Sequence, residues 1–345
     1  MSDLNLKSIK AGEDLVRFYQ GGEARLVQAQ LGPAGDFFTK ALKAFRETLD
    51  NAGTADCLLK LGRVLELLGE YEKALEHYKE SRTLYIELSD HLGIARSKAF
   101  LGNVAWAKGD YASAKALLED AQKYFNETRE LSCQAWVNDL IGNLLLAEGR
   151  DVEAEGCYQA AFAMVREMGE NPEGMAWNQY HLAAIQLFRC HYGSAREGFW
   201  GALKMFTEMK DVLGQAATQI HLGEIACEEK DFLAAEKHIV KSINLVIPTQ
   251  CKPLLADALT GLARLLKARG EDRKAIGVLM FALSHPTCRQ QTKDRMVSLL
   301  KSLEADFSKQ EIEKGFHWAK DFTIEEMASS WLKAVSSKPK TKKMS

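Results

Sequence analysis

His181 and His221 occupy equivalent places in two neighbouring stretches of similar sequence, with Cys190, His191 and Cys227 close by in the chain. Imidazole and thiolate ligate zinc, and together they make nucleophile and base. Either use needs tight spacing: a C-x-x-C pair, two ligands four residues apart on one helix face, or a third group that orients the base. None of these spacings is present, and Glu228-Glu229 reads as ordinary helix-surface charge. The sequence therefore assigns no catalytic residue, no metal and no cofactor. Another set has a clearer chemistry. Trp106, Trp136, Trp177 and Tyr180 recur with Arg96, Asn103, Asp139 and Asn143. Trp and Arg are the commonest anchors of binding surfaces, and an Asn amide pairs with both the N–H and the C=O of a peptide backbone. The chemistry offered is retention of a polypeptide ligand.

The elements that must position these side chains follow from a repeat. A Leu or Ile followed by Gly or Ala occurs at Leu61-Gly62, Leu101-Gly102, Ile141-Gly142, Leu182-Ala183, Leu222-Gly223 and Leu262-Ala263, in steps of 40, 40, 41, 40 and 40 residues. Twelve positions after each small residue stands an alanine: Ala74, Ala114, Ala154, Ala195, Ala235 and Ala275. A short polar turn lies between the two marks, so each unit reads as helix, turn, helix. Small residues at both marks let two helix axes approach closely where they cross. Tyr78, Leu118, Tyr158, Phe199, Ile239 and Leu279, four residues after each alanine on the same face, are expected to fill the core between units. Five of the six prolines fall at expected joints, and the sixth is in the tail.

This spacing resembles the tetratricopeptide repeat in its form of about 40 residues per unit. The resemblance implies an all-α, right-handed superhelical solenoid of helical hairpins. The aromatic that the family places near the start of the first helix is missing, since those positions read Leu58, Lys98, Asn138, Gln179, Gln219 and Leu259. The expected organisation is a capping helix (Leu4 to Gln20) and partial repeat over 1–53, six repeats over 54–285, capping helices over 286–335 and a basic tail over 336–345. In the partial repeat, GDFFTKALKAF from Gly35 reads as a second helix alone. After Pro286, TCRQQTKDRMVSLLKSLEADF reads as a helix covering the exposed core of the last unit, followed by short helices from Lys309 to Trp318 and Thr323 to Val335. This ending looks like the C-terminal arrays of bacterial STAND-type ATPase regulators, but no phosphate-binding G-x-x-x-x-G-K-[ST] and no basic recognition helix is present.

In such stacks the first helices line a concave face. Counting six back, three back, one forward and four forward from each small residue gives its expected lining, which includes Glu66, Glu224 and Asp257 as well as the eight residues above. The aromatic and amide groups concentrate in the second to fourth units. Formal net charge is -2, so no global positive field draws nucleic acid or an anionic membrane. Lys338, Lys340, Lys342 and Lys343 are read as a solubilising end. The 7 scattered cysteines point to free thiols in a reducing, cytoplasmic setting. The expectation is a non-catalytic scaffold or adaptor that binds a protein or peptide segment on its concave face. The alternative is a peptide-responsive regulator whose superhelix changes shape on binding; oligomeric state is left open.

Overall fold

The computed structural model describes residues 16–169, 171–304 and 323–336. The basic tail beyond 336, the expected Lys309 to Trp318 helix and all but the end of the expected Leu4 to Gln20 helix lie outside them. Among the described residues there is no strand. The chain runs through α1 (16–27), α2 (Leu31–Glu47), α3 (Asn51–Leu68), α4 (Tyr71–Glu87), α5 (His91–Lys108), α6 (Tyr111–Thr128), α7 (Leu131–Ala147) and α8 (Asp151–Met168). It continues through α9 (Pro172–Phe188), α10 (Tyr192–Glu208), α11 (Val212–Glu228), α12 (Phe232–Val246), α13 (Lys252–Ala268), α14 (Asp272–Ser284), α15 (Gln290–Glu304) and α16 (Ile324–Ser336). Each odd-numbered helix from α3 to α13 pairs with its successor, and each pair packs on the next. The result is an all-α repeat solenoid.

The crossings explain the repeat. All six alanines of the second helices are fully buried. A methyl group built on Gly62 would lie 2.4 Å from the Tyr78 ring, one on Gly142 2.5 Å from Tyr158, and one on Gly102 2.9 Å from Leu118. The large side chain thus occupies the space its own hairpin's glycine leaves open, rather than only the gap between units as the spacing suggested. Tyr78 does both, because it also stacks on Phe100 of the next hairpin at 5.0 Å. The same triad begins one period earlier: Gly22 faces Phe38, Ala34 is fully buried, and Tyr19 packs on Phe38 at 5.8 Å. Residues 16–27 and α2 therefore form a hairpin in register with the others, where the sequence reading saw only its second half.

Joints between hairpins carry their own signature. Asp50, Asp90, Asn171 and Asp211 accept hydrogen bonds from the backbone N–H of Gly53, Gly93, Gly174 and Gly214 at 2.8 to 2.9 Å. Each satisfies an orphan donor at a helix start. The glycine three residues on makes room for Phe45, Tyr85, Val165 or Phe206 of the preceding helix. At the positions where the family's aromatic is missing, polar pairs bind helix to helix instead: Gln122 to Asn138 at 2.7 Å, His238 to Gln219 at 2.6 Å, and Lys98 to Asp120.

The array bends so far that its ends meet. α3 packs on α13, and Leu61 and Val64 share one core cluster with Cys251, Leu254 and Leu255. The Tyr71 hydroxyl donates to the Thr287 carbonyl at 3.3 Å across 216 residues. α15 contributes Met296, Leu300 and Leu303 to this core, as a cap on α13 and α14 should. Its first turns do something the cap reading did not foresee, since they reach across to α5.

Adding a side chain at a crossing and adding one on a free helix face should differ in sign. Gly142→Ala is expected to lower stability by about 1–3 kcal/mol through overpacking against Tyr158. Gly156→Ala in α8, where nothing lies within 4 Å of the new methyl, is expected to raise it by about 0.5–1 kcal/mol. Urea unfolding followed by circular dichroism compares them, and equal effects would remove the crossing argument.

Candidate functional site

Side-chain bonds of the first helices run mostly from one hairpin to the next. Asn103 donates through Nδ2 to Glu66 at 2.7 Å, and Arg96 lies 3.6 Å from Asp56, so both reach back to the preceding hairpin. Trp106 reaches forward, donating from Nε1 to the Asn143 carbonyl at 3.2 Å. The Asn143 side-chain oxygen accepts from the Tyr158 hydroxyl at 2.8 Å. Trp136 packs on Phe100 at 4.7 Å, and Trp177 meets Tyr180 edge-on at 5.4 Å. Tyr158, bonded to Asn143, stacks on His181 at 4.8 Å, and His181 in turn meets Trp177 and Tyr180. The eight predicted residues are all half-buried, neither sealed in the core nor fully exposed.

Parts of the expected lining also pack between helices. At three positions back from the small residue, Leu59, Ala99, Ile220 and Thr260 are buried to 2% exposure or less. These four side chains therefore face between hairpins, because one helical turn before the crossing they meet the neighbouring unit, whereas the two site residues at the same offset stay partly exposed. Asp139 and Tyr180 occupy this mostly apolar row. Trp177 likewise touches Phe206, a buried core ring, at 4.9 Å, so it supports the hairpin as well as lining the face.

The two aligned histidines have structural partners. Burial, reinforced by the nearby His221, pushes the His181 imidazole down to about 4, so it is neutral at pH 7. His221 bridges the Tyr180 hydroxyl and Glu224, each at 2.9 Å. Burial alone would raise the Glu224 carboxyl, but Arg295, the His221 hydrogen bond and Arg264 together hold it well below the ordinary range. Among the described residues no three His, Cys, Asp or Glu side chains converge as metal ligands would. All seven cysteines are unpaired, and burial pushes Cys57, Cys227 and Cys288 up to about 12.

Sequence reasoning undervalued the acidic groups of the channel. Glu66 is the acceptor for Arg63, Asn103 and the Tyr78 hydroxyl; Glu224 meets Arg264 at 3.0 Å and Arg295 at 2.6 Å; Asp257 meets Arg289 at 3.4 Å and Thr292. Glu66, Glu224 and Asp257 stood on the expected inner face. Nothing in the repeat indicated that Arg289 and Arg295 would reach two of them from beyond Pro286.

Asp139 differs from these, because its Oδ1 is buried with no hydrogen-bond partner and burial raises the carboxyl to about 8. In the unfolded chain the group ionises above its ordinary value of 3.8, whereas in the folded chain it stays protonated until about 8. Folding therefore loses stability as pH climbs through that window. Asp139→Asn should remove the dependence, stabilising the protein at pH 7.5 by about 1–3 kcal/mol and having little effect near pH 4. Denaturant titrations at the two pH values measure this, and a variant less stable than wild type at pH 7.5 would contradict it.

A tetratricopeptide-repeat family model matches residues 26–87 and 60–127, the stretch from the end of α1 to α6. No curated protein matches the sequence. Several solved structures share the fold. A Rap protein complexed with competence and sporulation factor has a TM-score of 0.64 at 16% identity, over 85% of this chain and 76% of that one. A Rap conjugation gene regulator of the plasmid pLS20, in complex with the Phr* peptide, has a TM-score of 0.67 at 13% identity, over 88% of this chain and 80% of that one. The apo form of RapI has a TM-score of 0.55 at 11% identity, covering 84% and 99%. Over residues 26–127 the chain thus matches the tetratricopeptide repeat, and the same 40-residue hairpin period and small-residue crossings continue through α14.

Proposed function

We propose that the protein is a non-catalytic regulator or adaptor that takes a peptide or protein segment on the inner face of its solenoid. The observation that carries this reading is the half-buried ladder of Trp106, Trp136, Asn143, Trp177 and Tyr180, joined through Tyr158 across the second to fourth of the six repeats read from sequence. Partly exposed aromatics supply contact area at low entropy cost, and amides beside them match a polypeptide backbone. The Rap proteins complexed with competence and sporulation factor and with the Phr* peptide, which share the fold, support a peptide as the ligand class. Among the described residues no helix is long and apolar enough to cross a membrane.

A shape-changing regulator is favoured over a static scaffold by one observation. The two ends of the array touch where α3 packs on α13, so a ligand entering the channel acts on a contact between distant repeats. Binding that opens this contact would change the pitch of the whole superhelix.

Affinity capture from native cells tests the surface. Trp136→Ala and Asn143→Ala should each reduce retention of the partner about tenfold while leaving the helical circular dichroism intact, and the Trp106/Trp136/Trp177 triple alanine variant should abolish it. Wild-type capture by folded variants would refute the site. Small-angle scattering with and without the captured ligand decides the second point: a regulator changes its radius of gyration, whereas a scaffold keeps it.

A further inference from the structure

The channel already has an occupant. Thr287 lies against Gly69 at the end of α3, and Gln290 against Gly109 at the end of α5. Gln291 donates to the Asn143 carbonyl at 3.4 Å, the same oxygen that Trp106 uses. On the opposite wall, Arg289 and Thr292 meet Asp257, and Arg295 meets Glu224 at 2.6 Å. One short stretch thus bonds to early and late repeats together, on groups of the face described above. Its character is that of a ligand rather than of core. Residues 287–295, TCRQQTKDR, are polar but for Cys288, and the apolar anchors Met296, Leu300 and Leu303 come afterwards.

We propose that residues 287–295 are a resident, displaceable strap in the channel, and that the ligand replacing it is a peptide carrying two cationic side chains for Asp257 and Glu224. This rests on the peptide reading above and names the ligand's chemistry. The cations follow from what the strap would leave behind. Glu224 keeps Arg264 and His221 when Arg295 departs. Asp257 keeps neither of its described partners, since Arg289 and Thr292 both belong to the strap. A carboxylate only 13% exposed is then bare, which disfavours an empty channel and favours a guanidinium or ammonium in place of Arg289. Arg289 and Arg295 stand six residues apart, which sets the sequence spacing a competing peptide would match. The leucines of α15 stay in the core during exchange, so the strap remains tethered at an effective concentration on the order of millimolar and rebinds when the ligand leaves.

The test uses the full chain and a fluorescein-labelled synthetic peptide reproducing residues 287–304. Arg289→Glu/Arg295→Glu sets like charges face to face and should free the strap, so the variant is expected to bind the probe at least tenfold more tightly than wild type by fluorescence anisotropy. Adding Glu224→Gln and Asp257→Asn to that variant should abolish the gain. Equal binding by wild type and the folded double variant, or none by either, overturns the proposal. Should the charge-reversed chain not fold, hydrogen exchange on the wild type decides. Amides of residues 289–296 are expected to exchange about tenfold faster in 1 M than in 0.05 M NaCl while those of α7 and α9 are unchanged, and salt-independent protection overturns it. The probe is this chain's own segment, so its failure leaves the Trp136 and Asn143 capture experiment to judge the groove separately.

Discussion

Everything in this molecule rests on how closely two helices approach at the small residue of each first helix. Gly62 and Gly142 admit the edge of a tyrosine ring that any side chain would displace. That approach constrains the crossing within a hairpin, and its repetition along the chain sets the curvature of the stack. Curvature in turn creates the inner face. The aromatic ladder, the acidic groups and the meeting of the two ends are consequences of one contact repeated, not separate inventions.

The legible part of the structure is the part that repeats. Gly62, Ala74 and their equivalents could be read because small residues recurring every 40 positions have few explanations other than close helix crossing. One period earlier the pattern is legible only in the second helix from Gly35, which holds Phe38, while Gly22 lies beside a stretch that reads as a capping helix. The Asp-x-x-Gly joints at Asp50, Asp90 and Asp211 were equally visible and equally local.

What could not be read depends on closure, which is a sum of small angles rather than a motif. No pattern in TCRQQTKDR states that its arginines meet Asp257 and Glu224, or that its glutamine meets Asn143. The segment after Pro286 reads as a helix covering the last unit, and α15 does bury Met296, Leu300 and Leu303 against α13 and α14. The polar half of the same segment is explained only by the opposite wall of the channel. The buried, unpartnered Oδ1 of Asp139 was illegible for a related reason: helical offsets tell which stripe a residue lies on, but not which neighbour covers it.

The contact between Tyr71 and Thr287 also changes what kind of polymer this is. A linear solenoid has two ends, and ends are where a quasi-one-dimensional structure frays, because a terminal unit has one neighbour instead of two. Here the early hairpin at α3 and the late one at α13 are neighbours as well. With its ends joined, the array has fewer sites at which melting can begin, and loosening one end withdraws support from the other. Local fluctuation at either terminus is thereby coupled to the cooperativity of the whole, so the ring holds together or comes apart more nearly as one unit than an open row of hairpins would.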